Sequence, residues 1–159
     1  MRTCLTLSPA LAIVRDSVSV VHRPRTALCG ACNTACVLRL GTVVLGADDV
    51  ERAVTFWVTV FGYEAVSFPE SDDDFTILLP PDRSATRIAV HRSVTPAQAR
   101  PRVHLDLVVD NSTEQSSEIE RLLGLGATRV LWDYPIDPDF VVLADTEGNR
   151  FCIVDASRG

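Results

Sequence analysis

Lysine is missing from this sequence: all fifteen basic residues among its 159 are arginine. The bias reads as the coding habit of a GC-rich genome, which points to a bacterial source. The cations are also outnumbered. Twenty-one acids leave a formal net charge of -6 at pH 7, and the pI is near 5.0. Sequence-independent binding to nucleic acid depends on clustered cations that displace counterions from phosphates, so this balance argues against a polyanionic partner. Long apolar runs are lacking too. No stretch reaches the roughly eighteen apolar residues that a bilayer-spanning helix needs, which excludes such a helix. Residues 1–14 pair Arg2 with a short apolar stretch, as a secretory signal does. Pro9 and Asp16 interrupt it, no convincing small-residue cleavage site follows, and a cytoplasmic protein is expected. Cysteine is scarce where a staple would matter: Cys4, Cys29, Cys32 and Cys36 all lie in the first 37 residues, leaving Cys152 alone. No disulfide framework can hold the remainder together.

What is present suffices for one globular domain, with 47% hydrophobic and 23% charged residues. Charge divides it unevenly. Residues 1–37 carry a balance of +3 and residues 38–159 a balance of -9. The first segment shows no sustained period of 2 or 3.6, so neither a strand nor a helix could bury a face there. It reads as a disordered extension or as upstream sequence from a wrongly assigned start. Its Cys29-Gly-Ala-Cys32-Asn-Thr-Ala-Cys36 run, with Cys4 or His22 as a fourth ligand, invites a zinc or iron-sulfur reading. Incidental cysteines are the simpler account, and the preferred one.

Order is expected from residue 38. Leu38–Leu45 is β-branched and apolar enough for a strand. Asp48 and Asp49 supply helix-start chemistry, and Val50, Ala53, Val54, Trp57, Val58 and Phe61 fall at the spacing of a helical apolar stripe closed by Gly62. Phe56 and Trp57 are consecutive on this helix and cannot both face the sheet; Trp57 fits the stripe and reads as core. Strands follow at Tyr63–Phe68, Phe75–Leu79 and Thr86–His91, completing a module over residues 38–92. After a connector, a second module over residues 101–156 repeats the order: a strand at Arg102–Val109, a helix over Ser112–Leu125, and strands near Thr128–Trp132, Phe140–Ala144 and Arg150–Val154. Thr42 then falls opposite His104, Asp74-Phe75 opposite Asp139-Phe140, and Arg87 opposite Arg150, at separations of 62, 65 and 63 residues. A nearly constant offset argues for an internal duplication. The expected fold class is therefore α+β, two tandem βαβββ modules forming a curled mixed sheet around a central groove.

Period-2 alternation lists the groove. His104 and Asp106 share one face of their strand. Arg87, Ala89 and His91 share another, as do Arg150, Cys152 and Val154, and Leu40, Thr42 and Val44. Polar groups over an apolar floor suit a small, partly polar ligand. His104 and Asp106 are the candidate catalytic acid-base pair, a carboxylate orienting an imidazole. Thr42, Arg87, His91, Arg150 and Cys152 are the candidate ligand-binding residues. The competing reading pairs Asp106 with Arg87 or Arg150, with His104 merely joining that network. His91, His104, Asp106 and Cys152 could alternatively hold zinc, although no metal or other cofactor is expected. Cys152 reads as a small apolar filler rather than a nucleophile. Trp132, Tyr134 and Phe140 either cover a groove mouth or pack beneath the loop that contains Pro135 and Pro138. The acidic run Glu70–Asp74 reads as a solvated turn.

Three segments in order carry a resemblance: Val43–Arg52 leading to Phe56-Trp57 and Phe61-Gly-Tyr63, then Arg102-Val-His-Leu-Asp106, then Leu143–Cys152. Residues 40–155 resemble the vicinal oxygen chelate superfamily and, within it, the glyoxalase-like subgroup of glyoxalase/bleomycin resistance/dioxygenase type. The resemblance implies paired βαβββ modules and, in metal-using relatives, a divalent cation held by His, Gln or Glu on groove-facing strands. Its ligand positions fall here on Thr42, Ala89, His104 and Cys152, of which only His104 is clearly competent. The likeness implies a small-molecule protein of this class. It is read as a metal-independent lyase or isomerase using His104 and Asp106, with the ligand in the groove between the two modules, and with a non-catalytic sequestering module of the drug-resistance type as the alternative. A homodimer stays open.

Overall fold

In a computed structural model of the chain, the residues described are 39–68, 74–82 and 85–158. The segment read as an extension, its four cysteines and most of the acidic run lie outside them. The first module opens with β1 (Thr42–Ala47), which starts later than expected. Asp49, in extended backbone, caps α1 (Val50–Phe61), its carboxylate accepting the Arg52 N–H at 3.0 Å. The helix stops at Gly62, whose φ of 64° is free of strain only without a Cβ, and whose N–H donates to the Val58 carbonyl at 2.8 Å. β2 (Glu64–Ser67), β3 (Phe75–Leu79) and β4 (Arg87–Arg92) complete a sheet of order β1-β4-β3-β2. β1 runs parallel to β4, the pairing that requires a crossover helix, and the other neighbours are antiparallel.

The second module repeats this plan with β5 (Leu105–Val109), α2 (Ser112–Gly124), β6 (Thr128–Arg129), β7 (Phe140–Ala144) and β8 (Arg150–Asp155), in the order β5-β8-β7-β6. Asn111 caps α2, accepting the Thr113 and Glu114 N–H groups. The duplication is visible in detail: Phe75 and Phe140 open β3 and β7, and Arg87 and Arg150 open β4 and β8. Two boundaries differ from expectation. β5 begins at Leu105, so His104 sits on the approach to the strand. β6 ends at Arg129 rather than Trp132, because the Tyr134 hydroxyl takes the Val142 N–H at 2.9 Å where a further strand residue would have paired.

One core serves both modules. Leu78, Ile88 and Val90 of the first sheet join Leu143, Phe151 and Ile153 of the second, with Ala53, Phe56 and Trp57 of α1 and Ile119 and Leu122 of α2 among them. Phe56 is as buried as Trp57, contrary to the sequence-based expectation, because α1 meets a second wall. The Phe151 ring of β8 lies 5.4 Å from Trp57 and 6.3 Å from Phe56. The turn between β7 and β8 reinforces this junction. Asp145 accepts the Trp57 indole N–H at 3.1 Å, and Asn149 donates its side-chain amide to the Gly46 carbonyl at 3.0 Å. Glu147 accepts the backbone N–H groups of Asp48 and Asp49 and a fork from Arg52. Burial raises the Asp145 carboxyl above its ordinary range, against the four donors that surround it. Strand alternation then places Thr42, Val44, Arg87, Ala89 and His91 on the face of the first sheet turned away from this core. Asp106, Val108, Arg150, Cys152 and Val154 take the same place on the second.

Candidate ligand-binding site

On the outer face of the second sheet, β5 and β8 run parallel with Asp106 opposite Cys152. His104 reaches this pair from just before β5, its Nε2 standing 3.1 Å from Asp106 Oδ1. Both side chains are about half exposed, while Cys152 is buried. Burial, the Asp106 charge and a hydrogen bond from the thiol to Asp106 push the Cys152 thiol up to about 12. At neutral pH it is a protonated donor, not a nucleophile. Asp106 therefore lies between a thiol and a half-exposed imidazole.

The expected residues divide between the two sheets. His104, Asp106 and Cys152 come together, with Arg150 on the same face two residues before Cys152. Thr42 pairs with Arg87 in register on the first sheet, and His91 stands opposite Gly46 at the other end of β4. Among the described residues no hydrogen bond or ion pair joins these two sets. Two readings are corrected. Asp106 pairs with neither Arg87 nor Arg150, because His104 and the Cys152 thiol occupy it. His91 does not join a zinc set with the other three, because it belongs to the other sheet.

The loop aromatics separate as well. The Trp132 ring lies under the Arg100 guanidinium at 4.6 Å. Tyr134 lies 5.6 Å from Phe140, which pairs in register with Val154 beside Cys152. Val142, opposite Cys152, is buried, and only its alternation with Val141 marked it in the sequence. Two open clefts, of about 380 and 540 Å³, flank the N-terminal half of α1, and neither is lined by His104, Asp106 or Cys152.

A family model described as a glyoxalase-like domain matches residues 42–154, most of the chain and both modules. The chain belongs to the glyoxalase-like domain family. No curated protein matches it. Among solved structures it is similar to a glyoxalase/bleomycin resistance protein/dioxygenase family enzyme from Burkholderia phytofirmans PsJN, at 20% identity and a TM-score of 0.56, covering 74% of this chain and 98% of that one. It is also similar to the fosfomycin resistance protein FosX from Listeria monocytogenes, at 16% identity and a TM-score of 0.60, covering 75% and 91%. A variant of that FosX, complexed with Mn(II) and 1S,2S-dihydroxypropylphosphonic acid, matches at 17% identity and a TM-score of 0.58, covering 75% and 93%. At these identities the likeness shows the fold, two βαβββ modules with a mixed four-stranded sheet each.

The residues of this glyoxalase-like domain do not fit a hard cation such as Mn(II). That ion asks for several oxygen ligands. Here one carboxylate stands with an imidazole and a thiol held at about 12, and the matching places on the first sheet carry Thr42 and Ala89. The donor atoms of His104, Asp106 and Cys152 lie within 4.8 Å of one another. That set is softer and closer to what zinc accepts.

Proposed function

We propose that this glyoxalase-like protein binds a small molecule on the outer face of its second module and moves a proton on it without a metal, in a lyase or isomerase reaction. The observation that carries the reading is the His104–Asp106 contact of 3.1 Å on an accessible sheet face, with an apolar floor beside it. His104 would exchange a proton with the ligand through its outward nitrogen while Asp106 holds the ring. The Cys152 thiol donates to Asp106 and steadies the carboxylate. The same reading includes a second copy. Among the described residues β1 and β5 each pair on one side only, and Val44 and Val108 within them are 52% and 64% exposed. An unpaired apolar edge invites another chain, and a homodimer would cover these faces and bring Thr42, Arg87 and His91 to the ligand.

The test combines metal analysis of purified protein with a thermal-shift screen of small molecules on wild type and His104→Ala. Stabilisation by a compound that the protein converts, lost in a folded His104→Ala variant of metal-free protein, is the expected result. Stoichiometric zinc lost on mutating Cys152 would overturn metal independence. A compound recovered chemically unchanged would instead favour the sequestering reading. Sedimentation equilibrium showing a monomer at all concentrations would remove the second copy.

A further inference from the structure

Arg150 is unlike the other cations of the second module. Its Cα opens β8 on the face that carries Cys152, directly opposite Ala144 of β7. The side chain is partly buried, its Nη1 donates to the Gly148 carbonyl at 3.3 Å, and its buried Nε has no acceptor among the described residues. Among the described residues no carboxylate lies within ion-pairing distance of it, and Asp106, the acid of that face, is taken by His104 and Cys152. Arginine cannot shed its proton, so a guanidinium whose Nε is buried without an acceptor keeps a donor to offer to an anion. The first module places Arg87 at the matching position, opposite Thr42, exposed and with no ion pair among the described residues.

We infer that the ligand of this site is a small organic acid, its carboxylate or phosphonate held by the Arg150 fork and its apolar body resting on Phe140 and Val154. This rests on the reading that the outer face of the second module binds the ligand. A guanidinium presents parallel N–H donors that match a planar or tetrahedral oxyanion, and the unused Nε is the donor such a pair requires. Tyr134 and Phe140, 5.6 Å apart, border the floor on which an aromatic acid would lie.

Calorimetric titration with benzoate, phenylphosphonate and neutral benzamide, paired with NMR of the Arg150 Nε–H and Cys152 amide signals, tests the inference on the full chain. At least one anion should bind about tenfold or more tighter than benzamide and shift the Arg150 Nε–H signal, and the stronger of the two anions names the headgroup. Arg150→Gln should abolish that preference, and Arg150→Lys, which keeps the charge but not the fork, should restore part of it. Both variants are expected to fold, since Arg150 has no ion pair to lose; far-UV circular dichroism verifies this. Benzamide binding as tightly as the anions, or an unaltered preference in Arg150→Gln, overturns the anionic ligand while the site reading stands. No shift at Cys152 with any of the three compounds overturns both.

Discussion

Replacing Glu147 should weaken the junction between the two modules. Its side chain is only 2% exposed. It accepts the Asp48 and Asp49 N–H groups at 3.1 and 3.0 Å and the Arg52 guanidinium at 2.7 and 3.1 Å. A hydrogen bond to a charged group contributes roughly 1.5–3 kcal/mol. The two backbone donors lie near water and recover part of that in a truncated variant, and Arg52 is half exposed and left out of the sum. Glu147→Ala should therefore cost about 2–3 kcal/mol and Glu147→Gln, which keeps an acceptor, about 1 kcal/mol. For a domain of this size the alanine variant should melt roughly 6–12 °C lower. The pH dependence has a definite sign. Burial works to raise the Glu147 carboxyl, but Arg52 and the Asp49 N–H outweigh it and hold the group below its usual range. Its stabilisation is thus complete above the unfolded carboxyl value and is lost as pH falls through the lower folded one. Urea unfolding followed by tryptophan fluorescence should show the gap between wild type and Glu147→Ala closing in acid. Equal midpoints at neutral pH, or a gap that widens in acid, would refute this account of the junction.

Trp57→Phe removes the indole donor to Asp145 and opens a void beside Phe151, for an expected loss of about 2 kcal/mol in the same assay; a change below about 0.5 kcal/mol would count against the shared core. Leu122→Ala, which empties a buried position on α2, should cost about 2–4 kcal/mol, and a neutral effect would mean that α2 does not pack as described. Cys152 in the folded protein should resist alkylation at pH 8, as read by peptide-resolved mass spectrometry, and Asp106→Asn should speed it by lowering the raised thiol. Rapid labelling of the native protein would contradict the protonated donor role.

Much of the fold was legible because local chemistry repeats it. The Asp49 cap, the Gly62 stop and the helical stripe from Val50 to Phe61 define α1. Arg87 and Arg150 open equivalent strands because the two halves share one plan. The face shared by Asp106 and Cys152 followed from strand alternation, and His104 reaches it from the approach to β5. Burial of Phe56 did not follow, since the wall it meets is Phe151 of the other module, 95 positions along the chain. Nor did the role of Glu147, which in sequence is one more polar residue in a turn and in the structure holds the turn before α1, nearly a hundred residues earlier.

The partners within the site were decided in the same way. Alternation places Asp106 among four candidates, His104, Cys152, Arg87 and Arg150, and cannot choose between them. The choice depends on which side chain points where once two strands are in register and a loop is closed. The order of elements, their duplication and the face each residue occupies are properties of short stretches, set by turn chemistry and period. Which carboxylate meets which cation, and which guanidinium is left without one, depends on strands brought together across the whole domain, and only the tertiary structure settles it.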